Sequence, residues 1–137
     1  RAFSGNYENE HLDAAALTLG ISGLLAADDP RFVATVEAVE KELRQGPTVY
    51  RYRAEDGLVG VEGGFNLCTA WLIEALVLIG RRDAAMQLFE EYCGLVGPTG
   101  LMSEQYDPVE KTALGNFPQA YSHLGLINAA LRLSSQN

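Results

Sequence analysis

The chain has 137 residues, 47% of them hydrophobic, and 10 Lys and Arg against 18 Asp and Glu leave a net charge of −8. That is material for one packed domain: with 20% charged residues it is too apolar for a disordered tail, and no apolar run reaches the ~18 residues of a membrane span. An acidic balance without a basic stripe repels phosphate backbones and anionic lipid, so neither nucleic acid nor a membrane is an expected partner.

Five helical segments follow in chain order. The first, Leu12 to Leu25, is apolar or small on nearly every face and is expected to be buried all round. Asp28-Asp29-Pro30 caps and starts a second helix that ends before Gly46. Its Phe32, Val33, Val36, Val39 and Leu43 form one apolar face, leaving Glu37, Glu40, Lys41, Glu42 and Arg44 for solvent. The third, Phe65 to Ile79, has Glu74 as its only charge and reads as buried, with Gly80 closing it. The fourth, Arg82 to Val96, sets Ala85, Leu88, Phe89 and Tyr92 against Gln87, Glu90 and Glu91, the pattern of a surface helix. The fifth, Pro118 to Leu133, is apolar up to Arg132. Cys68 and Cys93 fall inside these patterns and read as small buried hydrophobes, which fits a reducing, cytoplasmic setting. A chain that opens on Arg1 reads as processed or as a piece of a longer one.

Buried and one-sided helices alternate, which predicts an all-α fold with an inner layer packed on an outer one, as in a toroid of helix hairpins. The inner-to-outer links, Ala26 to Asp29 and Gly80 to Arg81, are tight. The outer-to-inner links, Gln45 to Gly64 and Gly97 to Phe117, exceed the usual ~2–8 residues and gather at one end with Ala2 to Glu10. Long loops on one face of a rigid scaffold are where binding and catalysis concentrate. Three inner and two outer helices do not close a ring, so apolar inner edges are expected to be exposed, to be covered by more of the barrel or by a second chain.

These loops carry carboxylates (Glu8, Glu10, Glu55, Asp56, Glu62, Glu104, Asp107, Glu110), Arg51 and Arg53, and the aromatics Tyr7, Tyr50, Tyr52, Phe65 and Tyr106. Rings cover pyranose faces, Arg and carboxylates bind hydroxyls, and paired carboxylates do acid and base work on an oxocarbenium-like transition state. Other chemistries lack their residues. His11 and His123 have no HExxH spacing or Cys partner, so no metal is expected, and His123 reads as a hydrogen-bonded structural group. Neither cysteine has a neighbouring base in sequence to activate it. Gly63-Gly64 reads as a tight turn rather than a phosphate cradle, and no cofactor is indicated.

The segment Gly100-Leu101-Met102-Ser103-Glu104-Gln105-Tyr106-Asp107-Pro108, with Leu114-Gly115-Asn116-Phe117-Pro118-Gln119-Ala120-Tyr121-Ser122-His123, resembles the closing part of the catalytic domain in glycoside hydrolase family 15. The resemblance runs through Tyr7 with Leu12-Asp13-Ala14, Tyr50-Arg51-Tyr52, Glu62-Gly63-Gly64-Phe65 and Leu67-Cys68-Thr69. It implies part of an (α/α)6 barrel, with residues 1–137 as the C-terminal part of a catalytic domain. It also implies an exo-acting, inverting α-glucosidase of the glucoamylase type, releasing glucose from α-glucan non-reducing ends. A trehalase or a glucodextranase of the same family is the alternative, and a non-catalytic helical interaction module is the reading from another class.

Residue by residue, the resemblance makes Glu104 the catalytic base that takes a proton from the attacking water, and so an ionised group. It makes Arg51 a hydroxyl-binding arginine of the non-reducing-end subsite. Phe65 stands where fungal glucoamylases carry tryptophan, keeping apolar contact without the indole N–H. Tyr106 and Glu62 join the substrate-binding set, Glu62 with a capping role as its alternative. The family's general acid lies upstream of the matched segments, so this chain is expected to be silent alone.

Overall fold

A computed structural model describes residues 1–5, 10–53 and 62–135. Asp13 accepts the Ala15 N–H at 2.8 Å and starts a 3-10 turn, Ala14–Leu17, that runs into the short helix α1, Thr18–Ile21. The long first helix is therefore cut to its N-terminal half. Gly20 and Gly23 explain the loss: Gly23 takes a φ of +77°, the Leu25 N–H turns back to the Leu19 carbonyl at 2.9 Å, and Leu24 is 74% exposed.

The remaining helices stand close to their expected bounds: α2 Pro30–Leu43, α3 Asn66–Leu78, α4 Arg82–Cys93 and α5 Ala120–Ser134. Asp29 caps α2 through the Arg31 N–H at 2.9 Å, with Pro30 at the first helical position. The Arg31 side chain and its N–H hold the Asp29 carboxyl down at about 2. Gly80 closes α3 at a φ of +81°. The α2 face of Phe32, Val36, Val39 and Leu43 and the α4 face of Ala85, Leu88 and Tyr92 are buried against α3, which is buried along most of its length and touches every other helix. The two outer helices are tied by Arg81 to Glu40 at 2.5 Å and by Arg44 to Glu91 at 3.0 Å. Among the described residues no helix is long and apolar enough to cross a membrane.

Cys93 departs from expectation. It lies exposed on the solvent side of α4, one position past the buried Tyr92, whereas Cys68 is buried in α3; both are free thiols. The long loops also hold structure that helical periodicity did not reveal. Strands β1 (Arg44–Gln45) and β2 (Thr48–Val49) form a hairpin across Gly46, and β3 (Gly64–Phe65), β4 (Gln105–Asp107) and β5 (Thr112–Leu114) form an antiparallel sheet in that order. Each is two or three residues long, too short for alternation to register.

Inner helix α5 shows the expected open edge. Leu124, Ile127 and Leu131 recur at helical spacing and are 59%, 53% and 60% exposed, while Ser122, Gly125, Ala129 and Leu133 are buried. A continuous apolar stripe of this kind favours association by several kcal/mol at ~25 cal/mol per Å², before entropy costs. The 137-residue chain is expected to self-associate, and Ile127→Glu to disperse it. Light scattering at ~10–100 μM checks both, and a monomer before the substitution would contradict the stripe's role.

Candidate active site

The loop face is organised around Met102 to Glu104, the stretch leading into β4. The first turn of α5 binds it three times. The Gln119 N–H donates to the Met102 carbonyl at 2.9 Å, the Ser122 hydroxyl donates to the Ser103 carbonyl at 2.8 Å, and the Met102 N–H donates to His123 Nε2 at 3.1 Å. His123 Nδ1 lies 2.8 Å from the Gln119 carbonyl, so the ring is the neutral tautomer with its proton on Nδ1. The structural role expected of His123 is met. From the other side, the first residue of α3 donates twice: Asn66 N–H to the Glu104 carbonyl at 3.0 Å and Asn66 Nδ2 to the Ser103 carbonyl at 2.8 Å.

The Glu104 carboxylate accepts one donor on each oxygen, Tyr121 Oη at 2.6 Å on Oε1 and the Asn116 N–H at 3.0 Å on Oε2. The Glu104 N–H in turn donates to the Asn116 carbonyl at 2.9 Å. The Asn116 N–H first, and then the Tyr121 hydroxyl, hold the Glu104 carboxyl below its usual range; partial burial opposes them and loses. Glu104 is thus ionised at neutral pH. Burial, and then the adjoining carboxylate, push the Tyr121 phenol up to about 12. Gly115, at a φ of +73°, lies flush against this group: a Cβ there would stand 2.7 Å from Oε2.

Phe65 and Tyr106 lie on neighbouring strands, where Gly64 pairs with Tyr106 and Phe65 with Gln105, so the pleat turns the two side chains to opposite faces of the sheet. Gly63-Gly64 makes that pairing possible, and its role differs from the expected tight turn. A Cβ on Gly63 would stand 2.3 Å from the Tyr106 carbonyl oxygen and one on Gly64 would stand 2.0 Å from Thr48 Oγ1, so the two glycines admit β4 and β2 at close approach. Glu62, just before them, is exposed; the N-cap position of α3 is Phe65, which makes no side-chain cap, so the capping alternative fails.

Arg51 sits at the start of the inner layer, where its carbonyl accepts the Ala14 N–H at 2.8 Å. Its guanidinium is exposed, and its Nε lies 3.4 Å from both Asp13 oxygens, a loose ion pair. Arg53 stacks 4.1 Å from the Tyr50 ring centroid and donates to the Glu42 carbonyl at 3.1 Å and Gln45 Oε1 at 3.2 Å, which makes it a strut. Buried Asp107 accepts the Val109 and Glu110 N–H groups and closes the β4–β5 turn. Cys68 lies within electrostatic reach of Asp13 and Arg51. Arg51 is thus the nearby base that sequence distance concealed. Burial nonetheless pushes the Cys68 thiol up to about 12, so it stays protonated.

Tyr7, Glu8, Glu55 and Asp56 lie outside the described residues. Among the described residues no three His, Cys, Asp or Glu side chains converge to hold a metal. Sequence reasoning missed the partners of Glu104. Tyr121 was absorbed into the apolar pattern of α5, and Asn116 acts first through its backbone N–H, which no side-chain motif reports, with its side chain as a smaller contribution.

A family model described as "Glycosyl hydrolases family 15" matches residues 1–131. Among similar proteins, a trehalase of Mycolicibacterium smegmatis is 44% identical over 93% of this chain and 20% of its own length. Trehalases of Mycobacterium tuberculosis and Thermoplasma volcanium are each 42% identical over 96% of this chain, and over 20% and 21% of their own lengths. The chain therefore spans about a fifth of these relatives. Among solved structures, a wild-type glycosidase superimposes with a TM-score of 0.81 at 21% identity, covering 96% of this chain and 38% of its own; a variant in complex with glucose matches equally well. The inner and outer layers, which the helix alternation predicts, are thus part of an (α/α)6 barrel, as the family resemblance implies.

Gly63→Ala sets a methyl group against the Tyr106 carbonyl and is expected to cost about 1–3 kcal/mol of stability. Gly97→Ala is the control, because its Cβ meets only the Leu101 carbonyl at 3.6 Å. Thermal unfolding compares them, and equal melting temperatures would refute the close-approach role.

Proposed function

We propose, since the chain belongs to glycosyl hydrolase family 15, that it is the base-bearing, C-terminal part of a catalytic domain that hydrolyses an α-glucoside with inversion. The carrying observation is Glu104, a carboxylate held ionised by neutral donors on the loop face of the inner helices. In the proposed reaction the carboxylate takes a proton from a water whose oxygen attacks the anomeric carbon. The C1–O bond opposite breaks, and the leaving oxygen takes its proton from a general acid supplied by the rest of the parent protein. Arg51, its exposed guanidinium held loosely by Asp13, suits the sugar hydroxyls, and Phe65 and Tyr106 each offer a ring from opposite faces of the β3–β4 pair. Glu62, exposed just before Gly63, completes the set as a hydroxyl acceptor.

Trehalose is the substrate this reading favours, because the relatives at 42–44% identity are trehalases. Glucoamylase-type action on α-glucan ends, the first expectation from the resemblance, is the competing specificity. The full-length parent, assayed on trehalose, maltose, isomaltose, panose and starch, is expected to turn over trehalose best and to yield one α- and one β-glucose by NMR. Two α-glucoses would exclude inversion, preference for the α-glucans would restore the glucoamylase reading, and inactivity on all would favour a helical interaction module. In the active parent, Glu104→Gln is expected to fold normally and to lose roughly 10²–10⁴-fold in turnover. A near-normal rate would remove Glu104 from the mechanism.

A further inference from the structure

We propose that Tyr121 is a positioning residue for the Glu104 carboxylate, and that the first turn of α5 is a bracket setting both the backbone and the side chain of that residue. The inference rests on Glu104 acting as the base. Residues 119, 121, 122 and 123 all bind within Met102 to Glu104: Gln119, Ser122 and His123 hold the peptide groups of Met102 and Ser103, and Tyr121 reaches the carboxylate at 2.6 Å. A side chain that touched Glu104 incidentally would not be flanked by three residues that fix the same stretch.

The chemistry explains why a phenol suits the place. A general base must be ionised yet keep its basicity, and a cation at contact distance would spend its charge on a salt bridge. None of the ion pairs among the described residues involves Glu104. The Asn116 backbone N–H, the Tyr121 hydroxyl and, as a smaller contribution, the Asn116 side chain are all neutral, so they favour the carboxylate without neutralising it. Gly115 closes off one side, so the group cannot swing away.

The titratable groups on the surrounding elements have other partners or states. His123 on α5 is committed to Met102 and Gln119, Cys68 on α3 is a buried thiol, Asp107 closes the hairpin turn, and Arg51 pairs with Asp13. Tyr106 and Lys111 lie on the hairpin itself, Lys111 exposed in its turn. Tyr121 is thus the side chain whose loss acts on Glu104 most directly.

The test uses the full-length parent and the substrate on which it is active. kcat and KM are measured against pH for Tyr121→Phe, for monofluorotyrosine at position 121 and for Glu104→Gln, with melting temperatures in parallel. Tyr121→Phe is expected to move the acid limb of kcat/KM to higher pH and to lower kcat about 10- to 100-fold, with KM changed far less. Monofluorotyrosine keeps the shape and donates more strongly, so its limb is expected at lower pH with the fold intact. A melting temperature that falls while neither limb moves would mean packing alone and would overturn the proposal. Full activity in Glu104→Gln would instead overturn the base reading beneath it. An inactive Glu104→Gln with unmoved limbs in both position-121 variants would sink the positioning role and leave the base in place.

Discussion

The loop face depends on one constraint: Met102 to Glu104 must be hydrogen-bonded from two inner helices at once. Asn66 donates from the first residue of α3, and Gln119, Ser122 and His123 bind from the start of α5. A helix N-terminus has unsatisfied N–H groups, and a side chain is the usual partner. Here α3 and α5 spend theirs on the backbone of the chain that links outer to inner layer, so helix packing and site geometry cannot vary independently. Strand β3 adds a third attachment, and only because Gly63 lets the Tyr106 carbonyl come close.

The helical scaffold was legible because its signals are local. The Asp29-Pro30 start, the one-sided apolar spacing of α2 and α4 and the glycine that ends α3 each operate within a few residues. The first helix was overread for the same reason: its apolar periodicity spans Gly20 and Gly23, but Gly20 sits where a Cβ would enter the buried Phe32 ring at 2.2 Å. That glycine serves the packing of α2 against the inner layer at the expense of helix length. The strands were invisible because each is two or three residues long, and the β3–β4 pairing also joins residues about forty positions apart, Gly64 to Tyr106. Glu104 and Arg51 came from resemblance alone; composition could say only that the loops suit a sugar. The larger role of Asn116, its backbone N–H, was not readable, since any residue but proline supplies it.

Charge ties the site to its ligand class. The chain is acidic by 8 charges, and its fields would oppose an anionic substrate. The sugar proposed as substrate would feel no such barrier, and under that proposal a carboxylate supported by neutral donors would keep its full negative charge for the cationic character that develops at an anomeric carbon. Arg51, held loosely by Asp13, adds hydrogen-bond donors without placing a cation on that carboxylate.

The opposite end of the same two helices shows how their register is held. A seam of leucine and alanine would tolerate sliding, because apolar contacts lack direction. Two features remove that freedom. Gly125 lets α5 approach until a Cβ there would stand 2.9 Å from the Ala70 Cβ, and Glu74, the one charge in α3, meets Arg132 of α5 at 3.2 Å while itself almost fully buried. Such a pair adds little net stability, since desolvation offsets attraction. A slipped seam, however, would leave Glu74 buried without its partner at a cost of about 3–5 kcal/mol. The ion pair near the C-terminal end of α5 thus fixes how far α5 can slide along α3. The placement of Tyr121 against Glu104, at the other end of α5, follows from that register.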